Sequence, residues 1–294
     1  MTDSAAFWES ARAAFAKRDI ELAIACIENV VRQDPADLEA YRVLGRILRN
    51  EGRIDEAAAW YRRCLAVAPD DGVAAMGLAA LGKAPAPERL PDDVVLYVFD
   101  RNADNYENNM RSLGYKVPET LLGLLRAEDG AQDGTLDVLD LGCGSGLCGS
   151  LFRPLARKLV GVDLSPRMLA LAAGKQVYDE LIQAEMLEYL ARSPASSDLV
   201  VSANVFCYFA DLTPLVQAIA RVLRAGGRLL FDVEKGEGLE PRFGVSGRFT
   251  HSRAALERAL LPAGFSFNRV EETPMRARAG KPVLGLYCLA RRSA

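Results

Sequence analysis

The sequence predicts two domains, an all-α region over residues 1–82 and an α/β region with a mostly parallel sheet over 92–294. Three observations carry this reading. Residues 5–82 place apolar side chains at three- and four-residue spacing and repeat with a period of 34 residues. From about residue 136 onward, short apolar runs alternate with helical stretches. Within the first of these runs, Asp137-Val-Leu-Asp-Leu-Gly-Cys-Gly-Ser-Gly-Leu-Cys-Gly149 joins a buried strand directly to a glycine-rich turn.

Bulk properties bound the function. The chain of 294 residues is long enough for two domains of ordinary size, and with half its residues apolar it has a globular composition. A net charge of −3 disfavours a nucleic-acid partner. No apolar run reaches the roughly 20 residues that span a bilayer, so no membrane partner is expected. The first residues lack the pattern of a signal peptide, which makes a cytoplasmic location the expectation. The six cysteines form no C-x-x-C pair and there is one histidine, so no metal site is expected.

In the helical region Ala23, Ile27, Val30 and Pro35 recur as Ala57, Tyr61, Cys64 and Pro69. Small residues at Gly45 and Ala57 let helices approach, and the prolines end each second helix. The pattern resembles the tetratricopeptide repeat (TPR), with a plain helical bundle as the other reading. The first unit is weak, because Phe7, Ser10, Ala11 and Ala14 stand where the second has Tyr41, Leu44, Gly45 and Leu48. A third unit starts at Asp71 and decays after Gly82 into a capping helix. Two repeats leave apolar surface to cover, so these helices are expected to lean on the second domain. Three prolines in 83–91 forbid a continuous helix and mark a linker.

Strands are expected at 136–141, 158–163, 180–184, 198–203, 228–233, 264–270 and 283–291, with helices between them. Sheets of this kind bind ligands at the carboxyl ends of their strands. There, Gly142, Gly144 and Gly146 let the backbone bend and approach a ligand without Cβ clashes. Residues 144–149 also satisfy G-x-G-x-x-G, a dinucleotide signature, but that register starts two residues late relative to the strand. Asp140 at the strand end would repel a pyrophosphate and attract an ammonium. Asp163 ends the second strand about 20 residues after the turn, where a carboxylate can accept both ribose hydroxyls. Its other reading is a helix cap, a role that Ser165-Pro166 already fills.

This strand, turn and pair of acids resemble the S-adenosylmethionine (SAM) site of a class I methyltransferase, and the chain as a whole is similar to bacterial TPR-containing members of that class. Val98-Phe-Asp-Arg-Asn-Ala-Asp-Asn-Tyr106, Gly247-Arg-Phe-Thr-His251 and Lys281-Pro-Val-Leu-Gly285 add to the likeness. The resemblance implies a Rossmann-like seven-stranded α/β domain with an antiparallel edge strand near its C-terminus, preceded by the all-α TPR-like domain. It implies SAM as cofactor, S-adenosylhomocysteine as product, and Asp140, Gly142, Cys143, Gly144, Gly146 and Asp163 around it. Leu164 and Met168 would flank the adenine, Glu185 would meet the adenine amine with apolar Met186 beside it, and Asn204 would sit beside the sulfonium. A solvated acid before a helix is the other reading of Glu185.

Around the methyl group the candidates are few. Tyr106 would form a lid over SAM and serve catalysis, and Tyr208 would touch the methyl or shape the acceptor pocket. His251 is either a general base or a packing residue beside Ser252. Arg242 or Arg248 would clamp an acceptor carboxylate, or else lie in solvent. The N/D-P-P-Y/F motif is absent, which argues against adenine-N6 and glutamine-N5 acceptors. The expected function is methyl transfer from SAM to a small-molecule acceptor, at oxygen. The alternatives are a protein acceptor docked by the TPR helices, a SAM-binding protein without catalysis, and an NAD-dependent oxidoreductase.

Overall fold

The computed structural model describes residues 3–128, 132–278 and 281–293. Its contacts divide the chain into two compact units, Met1–Pro87 with Phe243–Arg248, and Glu88–Arg242 with Phe249–Ala294.

The first unit contains five helices among its described residues, α1 (Asp3–Ala16), α2 (Ile20–Gln33), α3 (Leu38–Asn50), α4 (Ile54–Val67) and α5 (Gly72–Ala80). A recurring Pro-x-Asp sets the boundaries. Pro35 and Pro69 each follow the end of a helix, and two residues on, Asp37 and Asp71 cap the next by accepting the amides of Ala40 and Ala74. Such caps satisfy amides that the first helical turn leaves without partners. The buried faces follow the three- and four-residue spacing, as in Ala23, Ile27 and Val30 of α2 and Tyr41, Leu44 and Leu48 of α3. Tyr61 of α4 fills the centre. Its ring lies against Gly45 of α3 and Gly77 of α5, so a Cβ at either glycine would come within 2.4 Å of it. Gly45 thus admits an aromatic ring as well as bringing two helices together.

The second unit contains α6 (Asp92–Asn102), α7 (Tyr106–Ser112) and α8 (Val117–Arg126), then β1 (Leu136–Leu141), α9 (Leu147–Phe152), β2 (Ala156–Asp163) and α10 (Pro166–Gly174). It continues with β3 (Glu180–Gln183), α11 (Met186–Arg192), β4 (Ser197–Ser202), α12 (Thr213–Val222) and β5 (Leu223–Lys235). The last elements are β6 (Arg242–Phe243), which the contact division shares between the units, β7 (Phe249–His251), α13 (Arg253–Leu260), β8 (Phe265–Arg278) and β9 (Lys281–Arg292). The sheet runs β3-β2-β1-β4-β5, all parallel, and β9 pairs antiparallel with both β5 and β8. The fold is thus the mostly parallel, Rossmann-like one. The antiparallel strand lies inside the sheet instead of at its edge, because the β8–β9 hairpin folds back so that β9 takes the place beside β5. Strands β6 and β7 were not foreseen. They are two and three residues long, too short for a period-two pattern; β7 pairs with Glu234 and Lys235 at the end of β5 and with β6 on its other side.

Strands β1, β4 and the middle of β5 are buried along most of their length, which is why they read as continuous apolar runs. Phe206 stacks on Phe231 at 4.3 Å between ring centroids within this core. From β1 the chain crosses to β2 on one side and later returns to β4 on the other. The carboxyl ends of β1 and β4 therefore flank a topological switch point, where such sheets open a crevice.

Candidate functional site

Two adjoining cavities open at this switch point. The larger, about 760 Å³ including space open to solvent, is mainly apolar and has Asp163, Glu185, Asn204 and Tyr208 among its lining residues. The smaller, about 310 Å³, is lined by Asp140, Cys143, Ser145 and Tyr115 among others. Tyr106, Gly142, Gly144 and Ala203 border both, so together the two make one elongated site.

The glycine turn is the hinge between them. Gly142, Gly144 and Gly146 have φ values of +74°, +54° and +84°, a backbone conformation that strains any residue with a Cβ. At Gly142 a Cβ would also strike Val205 at 2.5 Å, whereas at Gly144 it would enter open space bordering both cavities. Gly144 therefore leaves bare backbone facing the site. Gly146 lines neither cavity and instead lies beside Tyr178, so its role is to turn the chain.

Asp163 is fastened in place. One carboxylate oxygen accepts the Gly144 amide at 2.8 Å and the other the Ser165 amide at 2.9 Å. Burial pushes its pKa above the usual carboxylate range. A carboxylate can accept about four hydrogen bonds, so Asp163 keeps capacity toward the cavity it lines. Ser165 caps α10, as its sequence suggests, by accepting the Met168 amide at 3.0 Å. Asp140 is fully buried, accepts the Tyr178 hydroxyl at 2.6 Å and lines the smaller cavity. Burial, opposed by that hydrogen bond, raises its pKa to about 7.

Asn204 sits at φ +61°, a strained conformation for a residue with a side chain, and its amide donates to Asp232 at 2.6 Å. Its buried Oδ1 has no hydrogen-bond partner although the residue lines the larger cavity. A buried acceptor left unsatisfied is costly, and a ligand with a donor at this place would relieve it. Glu185 combines both of its readings. It caps α11 by accepting the Glu188 amide at 2.9 Å, yet it lines the cavity with Met186 and lies 3.6 Å from Arg89.

A cover crosses the larger cavity. Arg89 bridges Phe209, Leu90 donates its amide to Tyr208 at 2.9 Å, and Val95 and Phe99 of α6 complete the lining. Phe99 meets Tyr106 and Tyr208 edge-on, with centroids 6.1 and 6.0 Å away. The cover is tied to α10, where Ser165 donates its hydroxyl to Asp100 and Arg167 pairs with Asp104 at 2.6 Å. Phe99 carried no signal of its own in the sequence, because it reaches the site only through the crossing of α6.

Besides that of Gly146 at the cofactor, two expectations need correction. His251 does not reach either cavity; it is buried, and its Nε2 donates to the Phe209 carbonyl at 3.0 Å. Desolvation lowers its pKa to about 4, so it stays neutral and committed to backbone. Met168 is buried beneath α10 and lines neither cavity, since its place in the first helical turn points it inward. Arg242 and Arg248 line neither cavity. Of the other residues named from the sequence, Tyr106, Gly142, Gly144, Leu164, Asn204 and Tyr208 border the larger cavity and Cys143 the smaller.

Residues 139–231 match the family model of a methyltransferase domain, and residues 9–72 that of the tetratricopeptide repeat. The chain carries a SAM-dependent methyltransferase domain behind a TPR segment. That domain is similar to the malonyl-[acyl-carrier protein] O-methyltransferase of Serratia marcescens, 30% identical over 137 residues, which are 47% of this chain and 51% of that protein. It is also similar to the ubiquinone biosynthesis O-methyltransferase of Thiobacillus denitrificans, 33% identical over 32% of this chain and 42% of that one. The chain thus spans about half the length of the curated relatives it matches. Among solved structures, magnesium protoporphyrin IX methyltransferase from Synechocystis shares the fold with a TM-score of 0.55, at 17% identity over 69% of this chain and all of that one. The residues present fit SAM as the domain's cofactor. Bare backbone at Gly144, Asp163 with spare acceptor capacity and the unsatisfied Asn204 Oδ1 all border one elongated site. No described helix is long and apolar enough to cross a membrane.

Proposed function

We propose that this chain transfers a methyl group from SAM to an oxygen of a small-molecule acceptor. The observation that carries the reading is the pairing of an acid-bearing nucleoside end, at Asp163 and Glu185, with an aromatic end at Phe99, Tyr106 and Tyr208 in one cavity. SAM, when bound, supplies an electrophilic methyl group on a sulfonium. The protein's part is alignment and exclusion of water. Asp163 accepts the ribose hydroxyls, Glu185 faces the adenine amine, and Leu164 and Met186 flank the ring. Asp140 and the turn at Gly142, Cys143 and Gly144 hold the amino-acid end. Asn204 stands beside the sulfonium, and Tyr106 and Tyr208 form the wall against which the acceptor is positioned. His251 takes no part as a base. The two curated relatives described above are both named as O-methyltransferases, which supports oxygen as the acceptor atom.

A protein acceptor docked by the helices is the second reading, and the TPR match over 9–72 favours it. The test is incubation of the full chain with methyl-labelled SAM and an extract of its own host, followed by separation of products by size. Label among small molecules is the expected result. Label on a protein would replace the first reading with the second, and SAM binding without any labelled product would overturn both.

A further inference from the structure

Asp140 poses a physical problem that the proposed reaction leaves open. A carboxylate buried this completely needs a partner that fixes both its direction and its charge. The backbone amide of Gly149 faces it, and the only side chain that hydrogen-bonds it among the described residues is Tyr178, in the segment between α10 and β3. Three glycines make that contact possible. A Cβ at Gly149 would lie 2.2 Å from the Tyr178 ring, one at Gly161 2.8 Å and one at Gly146 3.1 Å. The ring therefore occupies a slot between α9 and β2 that exists because three positions have no side chain. Gly149, the third glycine of the apparent dinucleotide signature, thus serves a tyrosine and not a pyrophosphate.

We infer that Tyr178 is a positioning residue of the cofactor site, whose slotted hydroxyl holds the Asp140 carboxylate toward the cavity that receives the ammonium end of SAM. The inference rests on the SAM reading of the domain. Tyr178 lines neither cavity and acts only through Asp140. The titratable groups facing Asp140 are Tyr178 itself, Asp163 of β2, Cys143 in the turn and Cys148 of α9. Burial raises both thiols, so they are neutral, and Asp163 repels the ionised form of Asp140. In the unliganded chain Asp140 titrates at about 7, and a cationic ligand favours its ionised form. Affinity then increases as pH rises through that value and levels off above it. Removing the hydroxyl withdraws a hydrogen bond that favours the carboxylate, and the midpoint moves upward.

The experiment is calorimetric titration of the full chain with S-adenosylhomocysteine from about pH 5.5 to 9, for the native protein, Tyr178→Phe and Asp140→Asn. Thermal melting of each unliganded protein runs alongside. Tyr178→Phe keeps the ring, and its affinity profile is expected to shift upward by about one pH unit, roughly fivefold weaker binding at about pH 7 and approaching roughly tenfold at the low end of the range. Asp140→Asn is expected to lose the step that moved. The titration of the ligand's own amine is common to all three proteins and cancels in the comparison. An unmoved profile in Tyr178→Phe, whatever its melting temperature, would make Tyr178 a packing residue and overturn the inference. Persistence of the step in Asp140→Asn would do the same. Absence of binding by the native protein would instead remove the SAM reading on which the inference stands.

Discussion

The two units fill their interiors differently. The helical unit is apolar inside, and of the buried polar residues described only Asp71 belongs to it, capping α5 and paired with Arg42. The α/β unit buries Asp140, Ser145, Ser165, Ser202, Asn204, Asp232 and His251, most of them at or beyond the carboxyl ends of its parallel strands. Both units wedge a tyrosine between glycines. Tyr61 lies against Gly45 and Gly77, whereas Tyr178 lies against Gly149 and Gly161 and carries its hydroxyl to a carboxylate. The same packing device fills space in one unit and fixes a charge in the other. Buried polar groups cost stability unless each has a partner, so their concentration in one place marks a site.

The comparison is broken most severely at Tyr61. Tyr61→Ala empties the centre of the helical unit and is expected to cost about 3–5 kcal/mol, read by denaturant unfolding monitored within that unit. A loss below about 1 kcal/mol would mean that the glycine slot does not hold the helices together.

His251 tests the other interior. Its pKa is about 4 in the fold against an ordinary 6.5, so it is a cation suppressed by burial. Its contribution is fully present above 6.5 and is lost as pH falls toward 4, by on the order of 3 kcal/mol. His251→Gln should flatten that part of a stability profile. Asp140 has the opposite sign, because its raised pKa gives stability at low pH that disappears as pH rises through about 7. The two opposed slopes overlap between these values, and Asp140→Asn is needed to separate them. In activity, the pH optimum of His251→Gln should stay in place; a shift would restore the histidine as a base.

Asp163→Ala leaves two amides without their acceptor and removes the ribose contact. Binding of S-adenosylhomocysteine is expected to weaken by about a hundredfold with the melting transition still cooperative. Unchanged affinity would remove Asp163 from the cofactor site. The smallest effect is expected from Tyr61→Phe, within about 0.5 kcal/mol, because packing needs only its ring. A larger loss would show that Tyr61, like Tyr178, uses its hydroxyl and would erase the contrast between the units.

Legibility in the sequence followed the range of the forces involved. Leu136–Leu141, Ser197–Ser202 and the helices of 20–67 were readable because burial imposes a local period on them. The glycine turn was readable because positive φ restricts residue type. The match of Phe99 with Tyr208, and the reach of Tyr178 to Asp140, join segments far apart in sequence and leave no period behind. His251 looked like a candidate base because histidine chemistry is generic; only its burial against the Phe209 carbonyl assigns it to packing.

By itself the sequence determined the helical repeat, the alternating α/β order and a turn that only glycines can make, since these depend on local backbone preference and periodic burial. The tertiary structure alone decided which polar side chains converge, that β9 enters the sheet between β5 and β8, and that a tyrosine after α10 holds the acid at the end of β1. Those outcomes depend on how elements pack across the sheet, where the distance between two side chains is unrelated to their separation along the chain.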